Sequence, residues 1–113
     1  MSEHALSDIR IVDLSRVLAG PFCTMLLSDY GAEVIKIEQP GVGDGTRHWG
    51  PPWVSAESAY FLSVNRNKQS LTLNLKTETG QEIIKKLMVK ADILIENFKP
   101  GTLQRLGLDY DSL

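Results

Sequence analysis

Residues 9–38 read IRIVDLSRVLAGPFCTMLLSDYGAEVIKIE, two β-branched runs on either side of an apolar segment. Ile9 to Leu14 has the composition of a short strand and stops at Ser15. Pro21 suits the first turn of a helix, where its missing N–H would have no intrahelical partner, and Gly31 suits the position just past a helix end. The punctuation predicts a helix from about Pro21 to Tyr30. Ala32 to Glu38 is then a second strand, and a helix between two strands over so few residues is the mark of a parallel βαβ unit.

The same pattern recurs downstream. Ser70 to Leu75 alternates polar and apolar residues as a half-buried strand does, Glu78 to Val89 carries Ile83, Ile84, Leu87 and Met88 at helical spacing, and Ala91 to Glu96 reads as a fourth strand. Phe98 to Leu108 reads as a turn and a short helix. The expected class is α/β with a largely parallel sheet. Four strands with two clear helices leave faces uncovered, so residues 1–113 are expected to be the incomplete N-terminal part of a larger domain. Between them, Gln39 to Tyr60 forms a long loop holding Pro40, Pro51, Pro52, four glycines and both tryptophans, a composition that favours a packed functional loop over a floppy one.

Composition bounds the chemistry. The 113 residues carry 12 Lys+Arg against 14 Asp+Glu, a net charge of −2, which argues against a general nucleic-acid binder. One cysteine cannot form an internal disulfide, and two distant histidines offer no metal-ligand spacing. No apolar stretch approaches the ~20 residues needed to span a bilayer. The start lacks a signal peptide, so an intracellular, cytoplasmic protein is expected, with the mitochondrial matrix as the alternative for a processed chain.

Open parallel sheets bind ligands beyond the carboxyl ends of their strands, which selects the loops Ser15–Gly20, Gln39–Arg47, Lys76–Thr77 and Asn97–Gly101 and places them on one edge. Between Ser58 and Thr77 stand Arg66, Lys68 and Lys76 with no carboxylate, and Lys99 and Arg105 follow the fourth strand. That excess suggests an anion such as a phosphate; solvated surface charge is the plainer alternative. Gly41-Val42-Gly43-Asp44-Gly45 lacks the spacing of the nucleotide-binding glycine motifs and reads better as turn glycines. Arg47, His48 and Trp49 could face a charged organic ligand, or Trp49 and Trp53 could simply staple the loop. Asp13 and Asp29 have no partner at catalytic spacing, and Cys23, inside an apolar helix, is expected in the core.

Four blocks in order, Asp13–Pro21, Gly31–Glu38, Asn65–Ser70 and Asp92–Gly101, resemble the N-terminal segment of class III coenzyme A transferases of the CaiB/BaiF type. Gly43-Asp44, Thr46-Arg47 and Trp49-Gly50-Pro51-Pro52 look closest to the dicarboxylate branch, such as succinyl-CoA:glutarate CoA-transferases. The resemblance implies a Rossmann-like domain, an interlocked homodimer, and transfer of CoA between small carboxylic acids through aspartyl intermediates, with acyl-CoA as substrate and no separate cofactor. It implies a CoA site formed by Leu18, Ala19, Gln39, Leu73, Asn74, Leu75, Lys76, Asn97, Phe98, Lys99 and Arg105. Leu18 stands where formyl-CoA transferase has glutamine, and Gln39 where it has arginine. The family's nucleophilic aspartate belongs to a later segment, so none of Asp92, Asp109 or Asp111 takes that role and this chain alone is expected to be inactive. An α-methylacyl-CoA racemase of the same family and a non-catalytic CoA-binding fragment are the alternatives.

Overall fold

The computed structural model describes residues 4–113. Strand β1 (Arg10–Asp13) leads into helix α1 (Ala19–Asp29) and strand β2 (Glu33–Glu38). A 3-10 turn (Gly45–His48), the hairpin β3 (Trp53–Val54) and β4 (Glu57–Ser58), and helix α2 (Ala59–Ser63) precede strand β5 (Gln69–Thr72). Helix α3 (Glu78–Met88), strand β6 (Ile93–Ile95) and helix α4 (Thr102–Leu106) complete the order. The main sheet runs β5-β2-β1-β6 with every pairing parallel. An α/β fold with a parallel sheet is what the two βαβ patterns predicted.

Alternation along β1 separates two cores. Ile11 packs with Ala32, Val34 and Leu27 of α1, while its neighbour Val12 packs with Ile84 and Leu87 of α3 and with Leu108. The two long helices therefore cover opposite faces. Each is bounded by local chemistry. Gly31 takes φ +106° just past α1, and Thr77 caps α3 by accepting from the Gly80 N–H at 3.0 Å, a bond worth about 1 kcal/mol. Lys85 and Lys86 in the last turn of α3 complement its dipole.

Several expectations shift. Helix α1 starts at Ala19, ahead of Pro21, which still lies in the first turn where its missing N–H costs nothing. Cys23 is exposed rather than core. The buried stripe of α1 is Pro21, Thr24, Met25 and Ser28, and Cys23 is turned outward beside Phe22 and Leu26. Strand β5 ends at Thr72 and is exposed along its length, because it is an edge strand paired only with β2; β6 is likewise a short edge strand. The long loop is ordered by its own 3-10 turn, hairpin and helix.

Gly80 makes a close approach: a Cβ there would overlap the Asn74 carbonyl oxygen, which is backbone and cannot swing aside. Gly80→Ala is therefore expected to destabilise the chain by about 1–3 kcal/mol despite alanine's better helix propensity, measured as a lower urea midpoint. An unchanged or higher midpoint would refute that packing. Among the described residues no helix is long and apolar enough to cross a membrane.

Candidate functional site

Strands β1, β2, β5 and β6 all deliver their following loops to one edge of the sheet. The chain winds from β1 outward through β2 to β5, then returns to the far side of β1 for β6, so the direction of winding reverses between β1 and β6. Such a reversal splays the post-strand loops and opens a crevice. A cavity of about 760 Å³ lies there, within the range of small-molecule sites.

Its floor is built from buried charge. Asp13, wholly buried at the end of β1, accepts hydrogen bonds from the Ser15 N–H (2.8 Å), the Ser15 hydroxyl, the Thr24 hydroxyl (2.6 Å) and Lys68 Nζ (3.3 Å). Lys68 also donates to the Pro21 carbonyl and Asn65 Oδ1, each at 2.9 Å. Burial pushes Lys68 down to about 8, a drop that the Asp13 carboxylate opposes. Lys36, the β2 residue registered against Asp13, donates to the Ser15 carbonyl at 3.0 Å. Its ammonium also lies 2.9 Å from Asp44 Oδ2, which finds a counter-ion there and no better-aligned donor. Asp44 Oδ1 caps the 3-10 turn by accepting from the Thr46 N–H and hydroxyl. Burial would raise the Asp44 carboxyl, yet the Thr46 N–H and Lys36 outweigh it and hold it below the ordinary value.

Two residues beyond Lys36, Glu38 ties the long loop to the sheet. It accepts from Arg47 Nε and Nη2 at 2.7 Å each, from the Asp44 N–H at 2.8 Å and from the Ser70 hydroxyl. Burial would raise the Glu38 carboxyl; the Arg47 and Ser70 bonds win and bring it down to about 2. Arg47 additionally covers the Phe61 ring at 3.9 Å. Arg47 is thus a brace, His48 Nε2 lies 3.2 Å from the Val42 carbonyl, and Trp49 packs edge-on against Tyr60. The three residues form no common ligand-facing cluster.

Of the residues singled out from sequence, Gln39, Leu73, Asn74, Leu75, Lys76, Phe98, Lys99 and Arg105 line the cavity. Leu18, Ala19 and Asn97 lie outside its lining. Leu18 occupies the cap position of α1 and is 51% exposed, and the Asn97 amide is engaged with the backbone of Arg16. The suspected anion cluster divides: Arg66 pairs with Asp29 at 2.6 Å and Lys68 with Asp13, whereas Lys76, Lys99 and Arg105 reach the cavity. Arg16 and Asp44, inside two of the loops selected from sequence but not named as contacts, also line it, and Lys36 and Thr102, which sequence reasoning missed, line it as well. A lysine in the middle of Val-Ile-Lys-Ile was the available signal, since a cation in a strand bounded by β-branched residues needs a buried counter-ion.

The rim cations Arg16, Lys76, Lys99 and Arg105 make no ion pair among the described residues, whereas both lining carboxylates, Glu38 and Asp44, are neutralised by Arg47 and Lys36. Leu73, Leu75, Phe98 and Leu106 add apolar wall. The cavity offers uncompensated positive charge beside apolar surface, which suits a ligand with anionic and flat or aliphatic parts. Among the described residues no cluster of potential metal ligands occurs.

The model of the family described as "CoA-transferase family III" matches residues 6–113. The chain is 56% identical over 112 residues to succinyl-CoA:glutarate CoA-transferase of Mus musculus, covering 99% of this chain and 26% of that protein. It is 47% identical over 114 residues to succinate–glutarate CoA-transferase of Agrobacterium fabrum, covering 96% of this chain and 28% of that one. The crystal structure of a CAIB/BAIF family protein from Brucella suis is similar with a TM-score of 0.92 and 46% identity over 98% of this chain and 30% of the other. The chain thus spans between a quarter and a third of the length of the relatives it matches. Family model, sequence identity and superposition agree from end to end of the described fold, and the chain belongs to CoA-transferase family III.

Proposed function

We propose that this chain forms one wall of a coenzyme A thioester site in a CoA-transferase acting on small carboxylic acids, dicarboxylates in particular. The observation that carries this is the cavity's pairing of Lys76, Lys99 and Arg105, none of them in an ion pair among the described residues, with apolar wall, which matches the phosphates of CoA next to its adenine and pantetheine. The relatives named for succinate and glutarate support the substrate class. The transfer needs a carboxylate nucleophile to attack the thioester carbonyl, breaking its C–S bond to release CoA thiolate and leave a mixed anhydride; the thiolate then attacks the enzyme's carbonyl of that anhydride, giving an enzyme–CoA thioester and expelling the free carboxylate. Glu38 and Asp44, the carboxylates at the cavity, are held in ion pairs and cannot serve, so the nucleophile comes from outside these residues. At the relatives' length the protein is proposed to act as a homodimer, with residues 1–113 as part of its larger domain.

Calorimetric titration tests the wall directly. The 113-residue chain is expected to bind CoA, and Lys76→Ala with Arg105→Ala to weaken binding at least about tenfold, with a shallower dependence on salt. The same preparation is expected to show no transfer of CoA from succinyl-CoA to glutarate. Salt-independent binding, or binding indifferent to both substitutions, would refute the assignment of this cavity.

A further inference from the structure

The loop after β1 is held at four backbone atoms in succession. Asp13 accepts from the Ser15 N–H, Lys36 donates to the Ser15 carbonyl, and Asn97 both accepts from the Arg16 N–H (3.0 Å) and donates to the Arg16 carbonyl (2.6 Å). The Ser15–Arg16 backbone is therefore held by partners on β1, β2 and the loop after β6. The Arg16 side chain is fixed as well, with the guanidinium carbon 4.8 Å from the centre of the Phe98 ring. Arg16 and Phe98 both line the cavity, at the β1–β6 crevice where the winding of the sheet reverses. Among the described residues no carboxylate pairs with this guanidinium.

Holding a long cationic side chain in place without a counter-ion spends rotamer freedom before any ligand arrives, and a ligand that meets it then recovers more net affinity. The other rim charges are placed differently. Lys76 and Lys99 are compact ammonium groups on flexible stems, suited to phosphate as point charges, and the Arg105 guanidinium donates to the Thr102 hydroxyl at 3.1 Å, whereas the Arg16 guanidinium lying on an aromatic ring offers a planar fork that fits the two oxygens of a carboxylate.

We propose that Arg16 is a specificity-determining residue of this site, its guanidinium receiving the free carboxylate at the distal end of a carboxyl-bearing acyl group. The inference rests on the CoA thioester assignment above and adds to it the group that selects dicarboxylic over simple acyl chains. An oxyanion could also come from a phosphate of CoA itself, and the ligands of the test separate the two.

Wild-type chain, Arg16→Gln and Arg16→Lys are titrated with CoA, acetyl-CoA and succinyl-CoA, with urea midpoints recorded for each. Wild type is expected to bind succinyl-CoA about tenfold tighter than acetyl-CoA, the size of one charge-assisted bidentate contact. Arg16→Gln is expected to erase that preference, weakening succinyl-CoA about tenfold more than CoA or acetyl-CoA. Arg16→Lys is expected to keep part of the preference. Equal weakening of all three ligands by Arg16→Gln would assign the side chain to a phosphate and overturn the inference, as would a preference that survives the substitution or is absent from wild type. Failure of wild type to bind any of the three would overturn the CoA assignment together with it; CoA binding without a role for Arg16 would overturn the inference alone.

Discussion

Asp13→Ala is expected to lower stability by about 3–5 kcal/mol at neutral pH, the cost of removing one partner from a buried ion pair. Single domains have about 5–15 kcal/mol in total, so this one change brings the chain to the edge of unfolding. The loss has four parts: Lys68, whose side chain is only 2% exposed, loses its counter-ion, and the Ser15 N–H, the Ser15 hydroxyl and the Thr24 hydroxyl lose the Asp13 acceptor. A pH series identifies the first part. Lys68 titrates in the folded protein at about 8, below its ordinary 10.5, so the unfolded chain binds more protons between these values and stability rises with pH there. Without Asp13 the folded-state value falls further, and that rise begins earlier. The gap between wild type and Asp13→Ala therefore narrows as pH approaches about 8 and levels off above it. Asp13→Leu with Lys68→Met, which removes both charges, is expected to recover most of the loss. Urea midpoints check both variants against wild type, and a single-mutant shift under about 0.5 kcal/mol, typical of a surface site, would refute the buried pair.

Acidification is expected to cost about 3 kcal/mol through Glu38 alone. Its carboxyl titrates at about 2 in the folded protein against an ordinary 4.5, and its side chain is 4% exposed, so solvent screening is slight. The folded value is the lower one, which means the unfolded chain takes up the proton first. The stabilisation is fully present above pH 4.5 and is lost as pH falls from there toward 2. Asp44, also held below its ordinary value, adds a loss of the same sign. Glu38→Gln is expected to be less stable than wild type at pH 7 and to show a shallower decline between pH 4.5 and 2. Denaturant midpoints at pH 7, 4 and 3 decide the matter; parallel declines in the two proteins would mean that Glu38 is not the acid-labile group.

What could be seen in the sequence was what depends on neighbours along the chain. The β-branched runs, Pro21, Gly31 and the spacing of Ile83, Ile84, Leu87 and Met88 each act locally, and from them the strand–helix–strand order and the parallel sheet follow. The edge that carries the cavity follows too, because parallel strands all present their carboxyl ends together. The partners of the charges were hidden, because they depend on register. Asp13 and Lys36 sit side by side only once β1 pairs with β2, and Lys68 meets Asp13 across 55 positions of sequence. Counting Arg66 and Lys68 toward an anion site failed for this reason: both were already matched by carboxylates elsewhere in the chain. Cys23 was misplaced for a different one. Nearly all of α1 is apolar, so its sequence carries little information about which stripe faces the sheet, and tertiary packing chose Met25 and Thr24 instead.

The floor beneath the cavity has an evolutionary corollary. Asp13 pairs with Lys68 and Lys36 with Asp44, and Asp13 and Lys36 both hold Ser15, so replacing any one strands a charge that only a second replacement relieves. Such positions are epistatic: they drift in pairs or stay put, while Lys76, Lys99 and Arg105 on the rim are free to change one at a time. The protein can thus retune what it binds without renegotiating what holds it together.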